Sequence, residues 1–266
     1  MKSTDLIIFC GQSNMEGETE GNPSDLSAVE NAYEYKFITD EIVPLKHPVG
    51  ENIGHDGKFF DIEKHPDFDF QMEYGALFGP NKGYANMVPS FAKAYTLRSN
   101  RQMVAVHAAK GSTCIDYWLK GEKGYAMLVK KALSAIEKAN PEHIYFVWLQ
   151  GESDAIRGLS KEEYKSKLIQ LFSDLKTDAG VEKFGIILVG RFTDDNRDFE
   201  IINAQKEVCA ETDGFVMLTA ITEEIIDNPM FMRADLHGHY NIKGQELIGN
   251  LSGNMLGRTV CNQKQQ

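Results

Sequence analysis

A chain of 266 residues, 42% apolar and 25% charged, is long enough to bury a large core and sits in the ordinary compositional range of globular α/β proteins. Its formal net charge of −11 withholds the basic surface that nonspecific nucleic-acid binding requires, so no nucleic-acid partner is expected. Its apolar runs fall far short of the roughly 20 residues of a membrane span, so no membrane association is expected either. The apolar stretch nearest the start, residues 6–10, is also too short for a signal-peptide core, which points to a cytoplasmic or trimmed secreted protein. Cys10, Cys114, Cys209 and Cys261 are widely spaced without a metal pattern, and Cys10 and Cys209 read as core thiols.

In chain order, the first element is an apolar strand over residues 6–10 that stops at Gly11 and is followed by Gln12-Ser13-Asn14-Met15. A serine on a tight turn just past a buried strand is placed to act as an exposed nucleophile, although a helix cap is the plain alternative. A weaker strand covers 33–38. Residues 39–82 then break the pattern with Pro44, Pro48, Pro66 and Pro80 and little helical period, and read as a long loop placed to roof a site. His47, His55 and His65 within it have no metal-ligand spacing and read as solvated. A helix over 84–95 follows, with Met87, Phe91 and Tyr95 four apart, and then a strand over 103–107 closed by His107, a core histidine.

The next segment, Lys110-Gly111-Ser112-Thr113-Cys114-Ile115-Asp116-Tyr117-Trp118, opens on a glycine whose N–H can approach a bound oxygen without a side chain in the way. Tyr117 and Trp118 are suited either to stack on a sugar ring or to pack under the loop, and Asp116 reads as structural. A helix over 125–139 leads to a strand over 144–149, and polar Gln150-Gly151-Glu152-Ser153-Asp154 follows at once. Ser160 and Glu163 form a capping box for a helix to 175. Strands over 184–189 and 215–218 alternate with helices over 199–210 and 244–256, and Asp235-Leu236-His237-Gly238-His239 precedes the last helix. The alternation predicts one α/β domain over 1–266, a three-layer α/β/α sandwich with a central parallel sheet of about five strands. Three polar segments follow directly on strands, so a parallel sheet brings them to one edge, where such folds bind ligands. A late histidine supplies the usual base for a serine.

Gly11-Gln12-Ser13-Asn14-Met15, Lys110-Gly111-Ser112, Trp148-x-Gln150-Gly151-Glu152-Ser153-Asp154 and His239 ahead of Gly244 together resemble the SGNH hydrolases, with their flavodoxin-like fold. More narrowly they resemble the sialate O-acetylesterase and acetylxylan esterase branch, carbohydrate esterase family 6. The resemblance implies a serine esterase that hydrolyses O-acetyl esters of an acetylated carbohydrate without a metal or organic cofactor. It implies Ser13 as nucleophile, His239 as base, and the Ser13 and Gly111 N–H groups with the Gln150 side chain as oxyanion hole. Gln12, Asn14, Ser112 and Trp118 are the expected substrate contacts. The family places an Asp three residues before the histidine, whereas here Asp235 stands four before His239, so either Asp235 or Glu152 orients the ring. His237 competes as base, but the spacing from His239 to Gly244 favours His239. A non-catalytic carbohydrate-binding protein on the same fold is the alternative. A flavodoxin-like nucleotide binder would need a phosphate-cradling loop that this sequence lacks.

Overall fold

The strand centred on Ile7 becomes the middle of a seven-stranded sheet. The computed structural model describes residues 3–50 and 83–262. The chain begins with β1 (Thr4–Gly11), a one-turn helix α1 (Ser13–Glu16), β2 (Glu18–Thr19), β3 (Ala32–Lys36) and β4 (Glu41–Pro44). After the undescribed stretch come β5 (Gly83–Tyr84), α2 (Val88–Ser99), β6 (Gln102–Ala109), a 3-10 turn (Ile115–Trp118) and α3 (Lys123–Ala139). Then follow β7 (His143–Leu149), α4 (Glu152–Arg157), α5 (Lys161–Ala179), β8 (Lys183–Ile187) and α6 (Arg197–Glu211). The last elements are β9 (Phe215–Thr219), α7 (Thr222–Ile225) and α8 (Ile242–Asn262).

The sheet order is β4-β3-β6-β1-β7-β8-β9, parallel throughout except for β4, which runs against β3. The expected α/β class and central parallel sheet are present, with seven strands where about five were expected. The weaker run over 33–38 is a true strand, and the first residues of the expected loop pair with it as β4. Residues 51–82, with His55 and His65, lie outside the described residues. His47 differs from expectation: it is buried, and burial pushes its imidazole down to about 4.

Alternate side chains of the central strands feed two cores, as the period of a strand requires. Leu6, Ile8, Val106, Phe146 and Trp148 meet Leu128 of α3, Leu168 and Leu171 of α5, and Ile201 of α6. Ile7, Phe9, Ala105, Tyr145 and Val147 meet Phe91 and Tyr95 of α2 and Ile248 and Leu256 of α8. The capping box at Ser160 forms as its sequence implies. Helix α2 starts later than its periodicity indicates because Asn86 accepts the Val88 N–H at 3.1 Å and fixes the entry there. Tyr84, at the expected helix start, belongs to β5.

The packing of α8 on α2 is set by a row of small residues, and it bears on the site because α8 begins three residues after His239. A Cβ on Gly249 would lie 2.3 Å from Met87 O, and one on Gly253 would lie 2.2 Å from Phe91 O. The two backbones touch where side chains would otherwise keep them apart. A Gly253→Ala change therefore forces α8 outward, and overpacking of this kind costs about 1–3 kcal/mol. Thermal unfolding followed by circular dichroism is expected to show a lowered Tm, and an unchanged Tm would show that the helices part without cost.

Candidate active site

Three strand ends meet at one edge. β1 pairs with β6 and β7 in registers that set Gly11 opposite both Ala109 and Leu149. At Gly11, φ is +153°, and a Cβ there would lie 2.0 Å from Leu149 O, so only glycine lets β1 turn this close to β7. Gln12 N then donates to Leu149 O at 3.1 Å, and Met15 N and Glu16 N both donate to Gln12 O at 2.8 Å. Ser13 is thus the first residue of a single helical turn at the carboxyl end of the central strand. Gly151 repeats the device at the end of β7: φ is +147°, and a Cβ would meet Ile201 at 2.6 Å.

The histidine arrives from the far end of the chain. Met232 bridges Tyr240, and Arg233 N donates to His239 O at 2.8 Å, closing a short loop. A Cβ on Gly238 would lie 2.1 Å from the Phe192 ring, which also stands edge-on to His239 at 5.8 Å. This brings His239 Nε2 to 2.8 Å from Ser13 Oγ, and Nδ1 to 2.9 Å from His237 O. A carbonyl oxygen only accepts, so Nδ1 carries the proton of the neutral ring and Nε2 accepts from the serine hydroxyl. That is the tautomer a general base requires.

Acidic groups crowd the site. Glu16 Oε2 accepts the Gly111 N–H at 2.7 Å, and Glu18 Oε2 lies 3.8 Å from His239 Nε2. Glu152 Oε1 accepts from Asn14 Nδ2 at 2.9 Å, and its Oε2 is buried without a hydrogen-bond partner. Burial outweighs the Asn14 hydrogen bond and pushes the Glu152 carboxyl up to about 7. Asp154 is also shifted upward, chiefly by burial. Among the described residues, no group of three or more His, Cys, Asp or Glu is arranged to hold a metal ion.

The family model of the carbohydrate esterase, sialic acid-specific acetylesterase family matches residues 3–255. The chain belongs to this family. Solved structures agree on the fold. A protein from Arabidopsis thaliana superposes with a TM-score of 0.65 at 19% identity, over 96% of this chain and 98% of that one. NanS superposes with a TM-score of 0.63 at 14% identity, over 100% and 99%. A carbohydrate acetylesterase from Xanthomonas citri gives 0.54 at 13%, over 97% of this chain and 57% of that one. No curated protein matches the sequence significantly. Membership makes the chain a carbohydrate O-acetylesterase, with acetylated carbohydrate as its substrate class. Among the described residues no helix is long and apolar enough to cross a membrane.

The esterase brings Ser13, Gly111 and His239 together and separates others from them. The ring Nδ1 lies against His237 O, and Asp235 is held by Arg233 instead. Its side chain is 65% exposed and paired with Arg233 at 2.7 and 2.9 Å, because a buried guanidinium two residues away is the stronger partner. Gln150, the third expected oxyanion donor, is fully buried, and its Nε2 donates to Thr113 O at 2.9 Å and to Asp154 Oδ2. A glutamine at the end of a buried strand satisfies its amide inside before it reaches the surface. Trp118 is likewise no sugar platform. It is fully buried, edge-on to Trp148, with Nε1 donating to Thr113 Oγ1 at 3.0 Å. Gln12 and Asn14 are buried, and Gln12 Oε1 accepts from Gln150 Nε2 and from the Ser153 N–H, each at 3.3 Å. Of the four expected substrate contacts, Ser112 alone is exposed.

His237 contributes its carbonyl to the site while its ring is exposed, and His107 is buried with Nε2 3.2 Å from Met15 O and its imidazole pushed down to about 3 by burial. Sequence reasoning missed Glu16, Glu18, Phe192 and Arg233. The first two had a signal, since both follow Ser13 within five residues. The raised carboxyl of Glu152 has a consequence for stability. Its folded value lies above the ordinary carboxylate value of 4.5, so folding favours the protonated form, and stability from this group is lost as pH rises toward about 7. Relative to the parent, Glu152→Gln is expected to gain Tm between pH 5 and pH 8. A constant Tm difference across that range would show that the carboxyl titrates normally.

Proposed function

We propose that the esterase works through an acetyl-enzyme on Ser13. The observation that carries this reading is the pair of contacts on His239: a carbonyl oxygen at Nδ1 and the Ser13 hydroxyl 2.8 Å from Nε2. Ser13 Oγ attacks the acetyl carbonyl carbon as its proton passes to His239 Nε2, forming a tetrahedral intermediate. Collapse breaks the bond to the sugar oxygen, which takes the proton from Nε2 and leaves as the free hydroxyl. Water then repeats the sequence on the acyl carbon, with His239 again as base, and releases acetate and the serine.

The imidazolium formed in each half has Glu18 close by, 3.8 Å from Nε2 at a partly shielded position. A negative charge there favours the charged ring in the same way as the acid of a conventional triad. The developing oxyanion draws on the Ser13 and Gly111 N–H groups. A Cβ on Gly111 would sit 3.6 Å from Ser13 Cβ, so the loop after β6 closes directly against the nucleophile. Gly111 N–H donates to Glu16 Oε2 at 2.7 Å, so it serves the oxyanion only once that hydrogen bond is broken.

Ser13→Ala is expected to abolish release of acetate from a chromogenic acetate ester while the circular dichroism spectrum is retained. A serine-directed organophosphonate is expected to label the parent at Ser13 alone, and labelling elsewhere would overturn the assignment. His239→Ala is expected to lower kcat by about 10²–10⁴-fold, the usual worth of a general base. His237→Ala, which keeps the backbone carbonyl, and Asp235→Asn, which lies outside the contact, are expected to cost far less. If Asp235→Asn proved as damaging as His239→Ala in steady-state kinetics, Asp235 would be the orienting acid after all.

A further inference from the structure

We propose that Asn14 and Glu152 form a positioning pair: Glu152 orients the Asn14 carboxamide, and Asn14 holds the two peptide groups that flank His239. The inference rests on the reading of Ser13 and His239 as nucleophile and base. Asn14 Nδ2 donates to Gly238 O at 3.0 Å, and Asn14 Oδ1 accepts the Tyr240 N–H at 3.2 Å. Gly238 and Tyr240 are the residues immediately before and after the histidine. One carboxamide therefore fixes both peptide groups whose planes set where the ring points. Asn14 is bonded in the chain to Ser13, so the strut between nucleophile and base is a single side chain. Gln245 Nε2, at the start of α8, donates to Asn14 O at 2.9 Å and secures its other end.

The strut works only with its amide nitrogen toward Gly238 and its oxygen toward Tyr240. Glu152 Oε1 enforces this sense, because an acceptor 2.9 Å away takes the amide nitrogen and repels the amide oxygen. Asn14 and Glu152 are 1% and 3% exposed, and both hydrogens of Asn14 Nδ2 are given to Glu152 and Gly238, which leaves none for a sugar. Glu152 thus serves the histidine through Asn14, as a hydrogen-bond acceptor.

This role differs from that of a ring-orienting acid in what it needs from residue 152. A glutamine still offers an acceptor oxygen to Asn14, whereas an acid that balances an imidazolium must carry charge. The test uses the full chain with a chromogenic acetate ester, the rate of phosphonate labelling at Ser13, and Tm. Asn14→Ala and Asn14→Asp are expected to lower kcat by about 10²-fold, the scale of a small misplacement of reacting groups, with KM little changed. Labelling of Ser13 should slow to a similar extent. Glu152→Ala is expected to show the same split between kcat and KM, and Glu152→Gln to recover most of that loss. The proposal is overturned if Glu152→Gln is as damaged as Glu152→Ala, since charge is then required. It is also overturned if the Asn14 variants raise KM at constant kcat, as a substrate contact would, or label at the parent rate. Should an Asn14 variant fail to fold, the two Glu152 variants decide the matter alone. Failure of the underlying reading is separate, because the parent itself would then not be labelled at Ser13.

Discussion

Parallel pairing of β1 with a neighbour on each side is the constraint from which the site follows. Because β6, β1 and β7 run the same way, their carboxyl ends fall on one edge, and each chain must turn away there. A turn at the end of a central strand lies against the strands on both sides. Gly11 and Gly151 resolve this crowding, the first against the carbonyl of Leu149 and the second against Ile201. What remains at the edge is a helical turn that starts at Ser13, a loop that starts at Gly111, and a short helix that starts at Glu152. Placing the serine at the sheet edge needs no contact specific to catalysis. The histidine is different, since it comes from a loop with no strand of the main sheet to fix it. Its position depends on α8 docking closely on α2 and on hydrogen bonds to Asn14.

Electrostatics at this edge favour acidic partners held at a distance. Four carboxylates, Glu16, Glu18, Glu152 and Asp154, follow the ends of β1 and β7 and meet burial in different ways. Asp154 accepts from the Ile115 N–H at 3.0 Å and from Gln150, and Glu16 accepts from the Gly111 N–H. Glu152 has one oxygen satisfied and one not, and burial pushes its carboxyl up to about 7. Leaving a charge in that position is costly, which fits a group whose task is to accept a hydrogen bond. Glu18, at the rim, retains some access to water and lies 3.8 Å from His239 Nε2. The carbonyl of His237 selects the tautomer without adding charge. In the proposed mechanism, tautomer selection and charge stabilisation, joined in one residue of a Ser-His-Asp triad, are divided between two groups.

Most of the fold was legible because it depends on periodicity and local signals. The buried strands announced themselves as apolar runs of the right length, and the Ser160–Glu163 pair marked a helix start to the residue. β4 was missed because Glu41, Ile42, Val43 and Pro44 form an edge strand, half exposed and ended by proline, whose only support is pairing with β3. At the site, Ser13 and Gly111 were legible for the same reason as the strands, since their place follows from where the strands stop. Asp235 and Gln150 were not, because each had a competitor that only three-dimensional packing reveals. Arg233 claims the first, and Asp154 with Thr113 claims the second.

Trp118 and Asn14 show the same limit from the other side. Both lie in segments rich in site residues, and proximity in sequence to a nucleophile or an oxyanion loop is a fair reason to expect contact with substrate. Yet a tight turn at a sheet edge sends successive side chains in different directions, and only some of them face out. Ser13 and Asn14 are neighbours in one helical turn, so their side chains diverge by about 100°. The first is aimed at the histidine's ring and the second at the histidine's backbone. On the proposed mechanism, Ser13 and Asn14 let one short stretch of chain supply both the reacting group and the means of holding its partner. That arrangement ties the geometry of Ser13 to that of His239, the proposed nucleophile and base, through covalent bonds at one end and two hydrogen bonds at the other.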